Sequence, residues 1–486
     1  MTRATWAGIF VSIFAVAVRL IAINQPYTDT WSWRQSDVAA IAQNYFRGAF
    51  HFAHPQIDWA GNEPGYVGTE FPILPFLAAI SYKIFGVHEW VGRIQAVIFF
   101  AVSLPFFFLL VRKILGEVAA AWALFFYSFA PLEIMASRCF IPDMPSLALS
   151  IIGLYFFHAW IETGRSRSFV AAAVTISLSI LIKLPSAIIG APLACIAFRH
   201  FRFRAFRNLK LWLFGVIAIL PAALWYWHSY RISQQFYPHH FFGAGGIKIM
   251  SPVWYLNIVE KIVIFEFTFV VCILGFAGAL FTEAPSRARP FYWWLGAMVL
   301  FIIVVGYGNR HPWYRVPLVP IAAFFASAGC EFITAKISNR AANITASILL
   351  VMLFGFSALV CARGFYRPTG EPLRLAGLEL RRMTPKNSLI VAADNGDPTV
   401  FYYAERKGWH FLERNGIYYG DPDGGRPAIV DLEQLRSKGA GYVVFTSNTA
   451  WWLDLYPELK QHLEAMSALL EATSQFKIYR LNPKSE

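Results

Sequence analysis

Charge is scarce in this sequence: Asp, Glu, Lys and Arg together make up 15% of it, against 57% apolar residues. A water-soluble chain of 486 residues could not cover its surface with so little charge, so a soluble globular protein is excluded. Most apolar residues must face lipid or other lipid-facing helices, which predicts a polytopic α-helical membrane protein. Cysteine is scarce too. Cys139, Cys195, Cys272, Cys330 and Cys361 are scattered with no CxxC spacing, which excludes a redox or metal framework and leaves them as small core residues. There is no Walker A sequence and no GxGxxG after a strand, so a nucleotide site is not expected. Neither an internal repeat nor a low-complexity segment is evident. No small-residue cleavage site precedes Gln25-Pro26, so the first apolar segment is expected to persist as a span.

What charge there is lies unevenly. Between Arg363 and Glu486 stand 16 Lys/Arg against 15 Asp/Glu, so +12 of the net +13 falls in the apolar part. It sits mostly in short clusters between spans, which is the pattern that orients helices in a membrane, and nucleic acid is not implied. Apolar stretches long enough to cross a bilayer begin with Trp6–Ile23, Val91–Val111, Val118–Pro131 and Ser146–Trp160. Phe169–Phe198 follows, interrupted at Lys183-Leu184-Pro185 and basic on both flanks, so it reads as a hairpin with Lys183 at its tip. Leu211–Trp227, Lys261–Phe281, Phe291–Tyr307, Arg315–Phe332 and Asn343–Cys361 bring the count to about eleven on the ~20-residue criterion. With the amino terminus inside, an odd count puts the carboxyl terminus outside. Residues 1–362 then form the membrane domain, with an outer loop over 26–90 carrying interfacial helices. Residues 363–486 read as a small extracytoplasmic α/β domain, because "NSLIVAAD", "GAGYVVFT" and "FKIYRL" look like strands between helical "PTVFYYAERK", "DLEQLRSK" and "YPELKQHLEAMSALLEA".

Three ionisable clusters are predicted near the outer membrane face. Asp29, Arg34 and Asp37 stand with Glu70 in the first loop; Arg138 and Asp143 flank the start of a span; Lys183 joins Arg310, His311 and Tyr314. For Lys183 or Arg310 alone, snorkelling to the interface is the simpler reading, and Asp143 before Met144-Pro145 fits a helix cap as well as a site. Acids at a membrane face gain nothing from phosphate headgroups, which makes Asp37 and Glu70 the stronger signals. Arg34, one turn before Asp37, could pair with it and fix the local helix.

The stretches "WRQSDVAAIAQNYF", "GTEFPILPFLAAISYKIFG", "SRCFIPDMPSLAL", "SILIKLPSA" and "HPWYRVPLVPIAAFFASA" resemble, in order and topology, membrane glycosyltransferases of the GT-C class. The resemblance is to the branch of aminoarabinose transferases and protein O-mannosyltransferases, and it covers roughly 1–332. It implies the GT-C fold, a polyprenyl-phosphate-linked sugar donor, an envelope acceptor that is a lipid, glycan or protein, transfer with inversion on the extracytoplasmic face, and a bacterial inner membrane. Many members carry an Asp-Glu pair in the first outer loop where this chain has Trp33-Arg34-Gln35-Ser36-Asp37, so the base is Asp37 with Asp29 as the alternative. Glu70 and Asp143 would position hydroxyls or together hold a divalent cation, the one cofactor left open. Arg138, Lys183, Arg310 and His311 would grip the leaving phosphate, with Tyr314 bonding it or the sugar.

Other features carry less. His51, His54, His239 and His240 lack a third ligand spaced for zinc, and the metal reading is set aside. Gly243, Gly245 and Gly246 suggest a loop that orders over bound donor. The rival class is a lipid or lipid-linked glycan transporter, which would require two related halves and charges at mid-depth. A non-catalytic scaffold would leave Asp37 and Glu70 without a task.

Overall fold

The structure is a computed structural model that describes residues 2–48, 50–237, 247–282, 285–414 and 417–483. His239, His240 and the glycines of the suggested ordering loop lie outside the described residues.

Helix α1 (Arg3–Leu20) opens on Thr2, whose side chain accepts the Thr5 N–H. Two helices follow before the next span, α2 (Ser32–Arg47) and α3 (Ile73–Phe85). Then come α4 (Glu89–Leu115), α5 (Glu117–Phe129), the short α6 (Pro131–Ala136), α7 (Asp143–Thr163), α8 (Ser166–Ile182), α9 (Gly190–Phe201) and α10 (Leu209–Gln235). After them lie α11 (Pro252–Lys261), α12 (Phe269–Phe281), α13 (Pro285–Val305), α14 (Leu318–Ala335) and α15 (Arg340–Phe365). Among the described residues, eight helices are long and apolar enough to cross a membrane, and a ninth span is counted if Pro252–Glu266 and Phe269–Phe281 are taken together. The shorter apolar helices α5 and α8 coincide with the remaining two stretches read from the sequence. Length alone could not show that the segment read as Lys261–Phe281 is bent. Its two parts meet at 111°, across a π-helical turn and Thr268, whose φ of 75° ends the helix.

The chain folds as two compact units. One comprises Met1–Ile23, Arg93–Trp227 and Gly245–Phe365; the other Asn24–Gly92, His228–Ala244 and Tyr366–Glu486. In the first, α15 exposes Leu349, Met352, Phe356 and Leu359, as lipid contact requires, while α7 is buried along most of its length. Helices α12 and α14 touch backbone to backbone. A Cβ on Gly278 would lie 1.8 Å from the Phe325 carbonyl oxygen, so only glycine permits that crossing.

The second unit is built on a five-stranded sheet. Past α16 (Glu371–Met383) come β1 (Leu389–Ala393), α17 (Thr399–Ala404), β2 (Lys407–His410), the small hairpin β3 (Glu413–Arg414) and β4 (Ile417–Tyr418), and α18 (Gly425–Ser437). The chain ends through β5 (Ala440–Thr446), α19 (Trp451–Leu455), α20 (Pro457–Met466), β6 (Ser467–Ala472) and β7 (Phe476–Leu481). The strand order is β2-β1-β5-β7-β6, with β2, β1 and β5 parallel and the last two antiparallel. Strand β1 is buried at every position, as the unbroken apolar run "LIVAA" requires of a central parallel strand. One sequence expectation is corrected here: "SALLEA" is strand β6, not the end of a helix, because its pairing with β7 overrides the helical propensity of Ala and Leu.

The segment containing α2 is tied to this sheet. Gly370 N–H donates to the Thr28 carbonyl (2.8 Å), Tyr27 N–H to the Tyr403 hydroxyl (2.8 Å), and Ser32 Oγ to Asp397 (2.8 Å). Beyond β2, Gly61 N–H donates to Gly408 O (2.7 Å) and Gly408 N–H to Asp58 O (3.0 Å), so the loop continues the sheet past its edge. Helix α2 packs against α3 and α17 and is buried on almost every side.

Candidate active site

The second unit carries the first-loop acids. Asp29 lies just before α2 and is fully buried; its Oδ1 accepts the Trp31 N–H (3.2 Å) and the Gln35 side-chain amide (2.7 Å). Its own carbonyl accepts the Ser32 N–H (2.8 Å), so Asp29 fixes the turn into the helix. One turn into α2, Arg34 and Asp37 share a face at i, i+3 spacing and are ion-paired. Arg34 also pairs with Glu70, from the segment leading into α3, and the side chains of Arg34, Asp37 and Glu70 are only 11%, 2% and 11% exposed. That segment is held close: Ser229 Oγ donates to the Thr69 carbonyl (2.8 Å), and a Cβ on Gly68 would lie 2.2 Å from Ser229 O. One guanidinium therefore clamps two carboxylates in a nearly dry setting.

The first unit carries the second and third clusters. Asp143 is the first residue of α7, and Pro142 holds the N-cap position; the Asp143 carboxylate is ion-paired with Lys183. Lys183 stands at the end of α8, where Pro185 two residues on cannot continue the helix, and the Leu184 N–H is taken by the Tyr226 hydroxyl (3.1 Å). The Lys183 ammonium also lies 4.9 Å from the centre of the Tyr314 ring. Sequence clusters two and three thus meet at Asp143, Lys183 and Tyr314. Arg310 lies 4.4 Å over the Tyr307 ring, and His311 stacks on Trp313 at 4.5 Å. Arg138 is fully buried and donates to the Ala22 carbonyl (2.9 Å).

Several buried charges escaped the sequence reading. Arg315 donates to both Glu266 oxygens through Nε (3.1 and 2.8 Å) and to the Asn309 carbonyl (2.6 Å), pinning the Tyr307–Arg315 stretch against the bend after α11. Arg19, fully buried in α1, donates to Ser137 Oγ (2.7 Å), Ala15 O (3.0 Å) and Ser128 O (2.6 Å), with its guanidinium 3.8 Å from the Phe100 ring centre. The available signal was an ion inside an apolar run, Glu266 in "KIVIFEFTFVV" and Arg19 in "VAVRLIAI".

A polar group also lies buried beside the sheet. Asp394 accepts the Gly396 N–H (3.0 Å) and approaches His410 Nδ1 at 2.8 Å; Asp397 accepts the Thr399 N–H (2.9 Å). These are the turn and helix-start roles that "AADNGDPT" suggests. Burial pushes the carboxyl of Asp397 up to about 6, Asp58 to about 6 and Glu413 to about 7. For His410, burial disfavours the charged ring, but the Asp394 carboxylate outweighs it and the imidazole's pKa rises. Among the described residues, no three His, Cys, Asp or Glu side chains are grouped to hold a metal ion.

Residues 64–227, which include Glu70, Arg138, Asp143 and Lys183, match the family model of dolichyl-phosphate-mannose-protein mannosyltransferases. A protein of Aquifex aeolicus (strain VF5) is 22% identical, the match covering 78% of this chain and 83% of that one. Among solved structures, ArnT from Cupriavidus metallidurans in the apo state superposes with a TM-score of 0.70 at 15% identity, over 99% of this chain and 98% of that one. The same protein bound to undecaprenyl phosphate gives 0.65 at 14% identity, over 99% and 98%. The oligosaccharyltransferase AglB from Archaeoglobus fulgidus, in complex with an inhibitory peptide and a dolichol-phosphate, gives 0.63 at 14%, over 99% of this chain and 74% of that one. The fold is that of the GT-C glycosyltransferases. The chain shares that fold, and its residues 64–227 resemble the dolichyl-phosphate-mannose-protein mannosyltransferases.

Proposed function

We propose that this protein is a glycosyltransferase that takes its sugar from a polyprenyl-phosphate donor and passes it, with inversion, to a hydroxyl on an envelope lipid, glycan or protein. The transfer takes place on the extracytoplasmic face of a bacterial inner membrane. The observation that carries this reading is the buried clamp of Arg34 on Asp37 and Glu70. The clamp fixes where the two carboxylates stand, so a hydroxyl brought to Asp37 meets an oxygen placed to take its proton.

In this scheme the acceptor hydroxyl gives its proton to Asp37 as its oxygen attacks the anomeric carbon. The bond from that carbon to the phosphate oxygen breaks, and its electron pair leaves on the phosphate. A single displacement of this kind inverts the anomeric centre. The charge gathering on the phosphate calls for cations; the membrane unit offers Lys183, held by Asp143 and Tyr314, with Arg138, Arg310 and His311 as the further candidates within that unit. Glu70 orients acceptor or sugar hydroxyls. Asp29, already engaged by Trp31 and Gln35, shapes the turn that presents α2.

The test is incubation of the purified full chain with a labelled polyprenyl-phosphate sugar and envelope extract. Transfer is expected, and Asp37→Asn should lower it by about 10²–10⁴-fold while leaving donor binding intact. If the parent protein moves the labelled lipid between leaflets with no transfer of label, the reading fails in favour of a transporter.

A further inference from the structure

A second charged region lies far along α7 from Asp143. At 1.5 Å per residue, His158 and Glu162 are about 22 and 28 Å from Asp143, so they belong to the opposite end of a membrane-spanning helix. There the last turns of α4, α7 and α9 and the first turn of α13 line an open cavity of about 420 Å³. Its polar lining is Lys113, His158, Glu162, Arg199, His200 and Arg287, and Ile114, Ile161, Ile196 and Pro290 form an apolar wall. Three permanent cations and two imidazoles thus surround one carboxylate, and Lys113 is already paired with Glu162. Among the described residues Arg199 and Arg287 pair with no carboxylate. The His158 Nδ1 is buried in the wall, 3.4 Å from Glu162 Oε1 and outside hydrogen-bond geometry.

Basic residues at helix ends also orient a membrane protein, but orientation requires only that they sit in water on one side. It does not require them to converge on one partly apolar cavity, an arrangement whose mutual repulsion a bound anion would offset. We infer that this cavity binds the phosphate of an anionic phospholipid from the leaflet opposite Asp143. The isoleucine wall favours a lipid over free phosphate, since glycerol and the first acyl carbons gain from it and a hydrated ion does not. The inference stands apart from the glycosyl-transfer reading and uses none of its residues.

The experiment places the full chain in nanodiscs of equal phosphatidylglycerol and phosphatidylcholine, releases it, and counts retained lipids by native mass spectrometry. The parent should hold phosphatidylglycerol in preference by about tenfold or more. The double variant Arg199→Gln/Arg287→Gln should lose that preference, and Arg199→Lys/Arg287→Lys should keep most of it. Ile196→Trp, which fills the cavity and leaves every charge, should lose it too, so the result does not depend on one variant folding. Equal retention of both lipids by the parent would overturn the inference. So would a preference that survives in the glutamine variant, or its displacement by soluble glycerol phosphate.

Discussion

Lys183 reaches from the broken end of α8 to pair with Asp143, the first residue of α7, and the two side chains are 6% and 2% exposed. An ammonium this deeply placed, with one acid and one aromatic ring around it, is positioned rather than snorkelling.

If that ammonium meets the leaving phosphate, Lys183→Met should lower kcat/KM for transfer by about 10²–10³-fold. Lys183→Arg, which keeps the charge, should retain a measurable part. Steady-state transfer assays decide it, and an unchanged kcat/KM in the methionine variant would reduce Lys183 to packing.

Asp29 and Asp37 should separate cleanly. Asp37→Asn is expected to cost about 10²–10⁴-fold in transfer, the range for loss of a general base. Asp29→Asn keeps an oxygen able to accept the Trp31 and Gln35 N–H groups, so its activity should stay within about tenfold of the parent. An equally deep loss in Asp29→Asn would return the base role to Asp29.

The Arg315–Glu266 pair should behave as a buried ion pair. Arg315→Met, which strands the carboxylate, is expected to destabilise the protein by about 3–5 kcal/mol. Arg315→Met/Glu266→Leu should recover part of that, because neither charge is then left alone. Thermal unfolding in detergent measures both, and a double variant no more stable than the single one would contradict the pairing as the cause.

Stability of the sheet-bearing unit should fall as pH rises. Glu413 has its carboxyl raised to about 7 in the folded chain, so it binds its proton more tightly folded than unfolded. That contribution is fully present below the unfolded value near 4.5 and is lost as pH climbs to about 7, a change of about 3 kcal/mol. Asp397 and Asp58, both raised to about 6, act in the same sense at lower pH. His410, also raised, stabilises below its unfolded value and loses that as pH passes the folded one. Unfolding temperatures between pH 5 and 8 should therefore drop, and Glu413→Gln should flatten the slope. A slope identical in that variant would remove Glu413 from the account.

The spans and the central strands β1, β5 and β7 were legible because length and unbroken apolar runs report directly on burial. The Arg34–Asp37 pair was legible from helical spacing. Glu70 was grouped with them as a fellow acid of the first loop, but its pairing with Arg34, 36 residues away, is set only by the fold. The bend after Glu266 and the strand β6 were hidden for a related reason. Apolar composition suits a straight span or a bent one, and Ala and Leu take whichever geometry their neighbours pair with. The links from Tyr27, Ser32 and Gly61 to the sheet are backbone and hydroxyl contacts, which leave no trace in hydropathy.

The hydrogen bonds that Gly408 gives to Asp58 and takes from Gly61 occupy a margin where a sheet could otherwise recruit a strand from a stranger. Chains crowded in a bilayer thus have no adhesive rim on that side to polymerise through. The same seam makes the carboxyl-terminal quarter a poor cassette: grafted from a distant relative, it would arrive without the amino-terminal loop that finishes its outline.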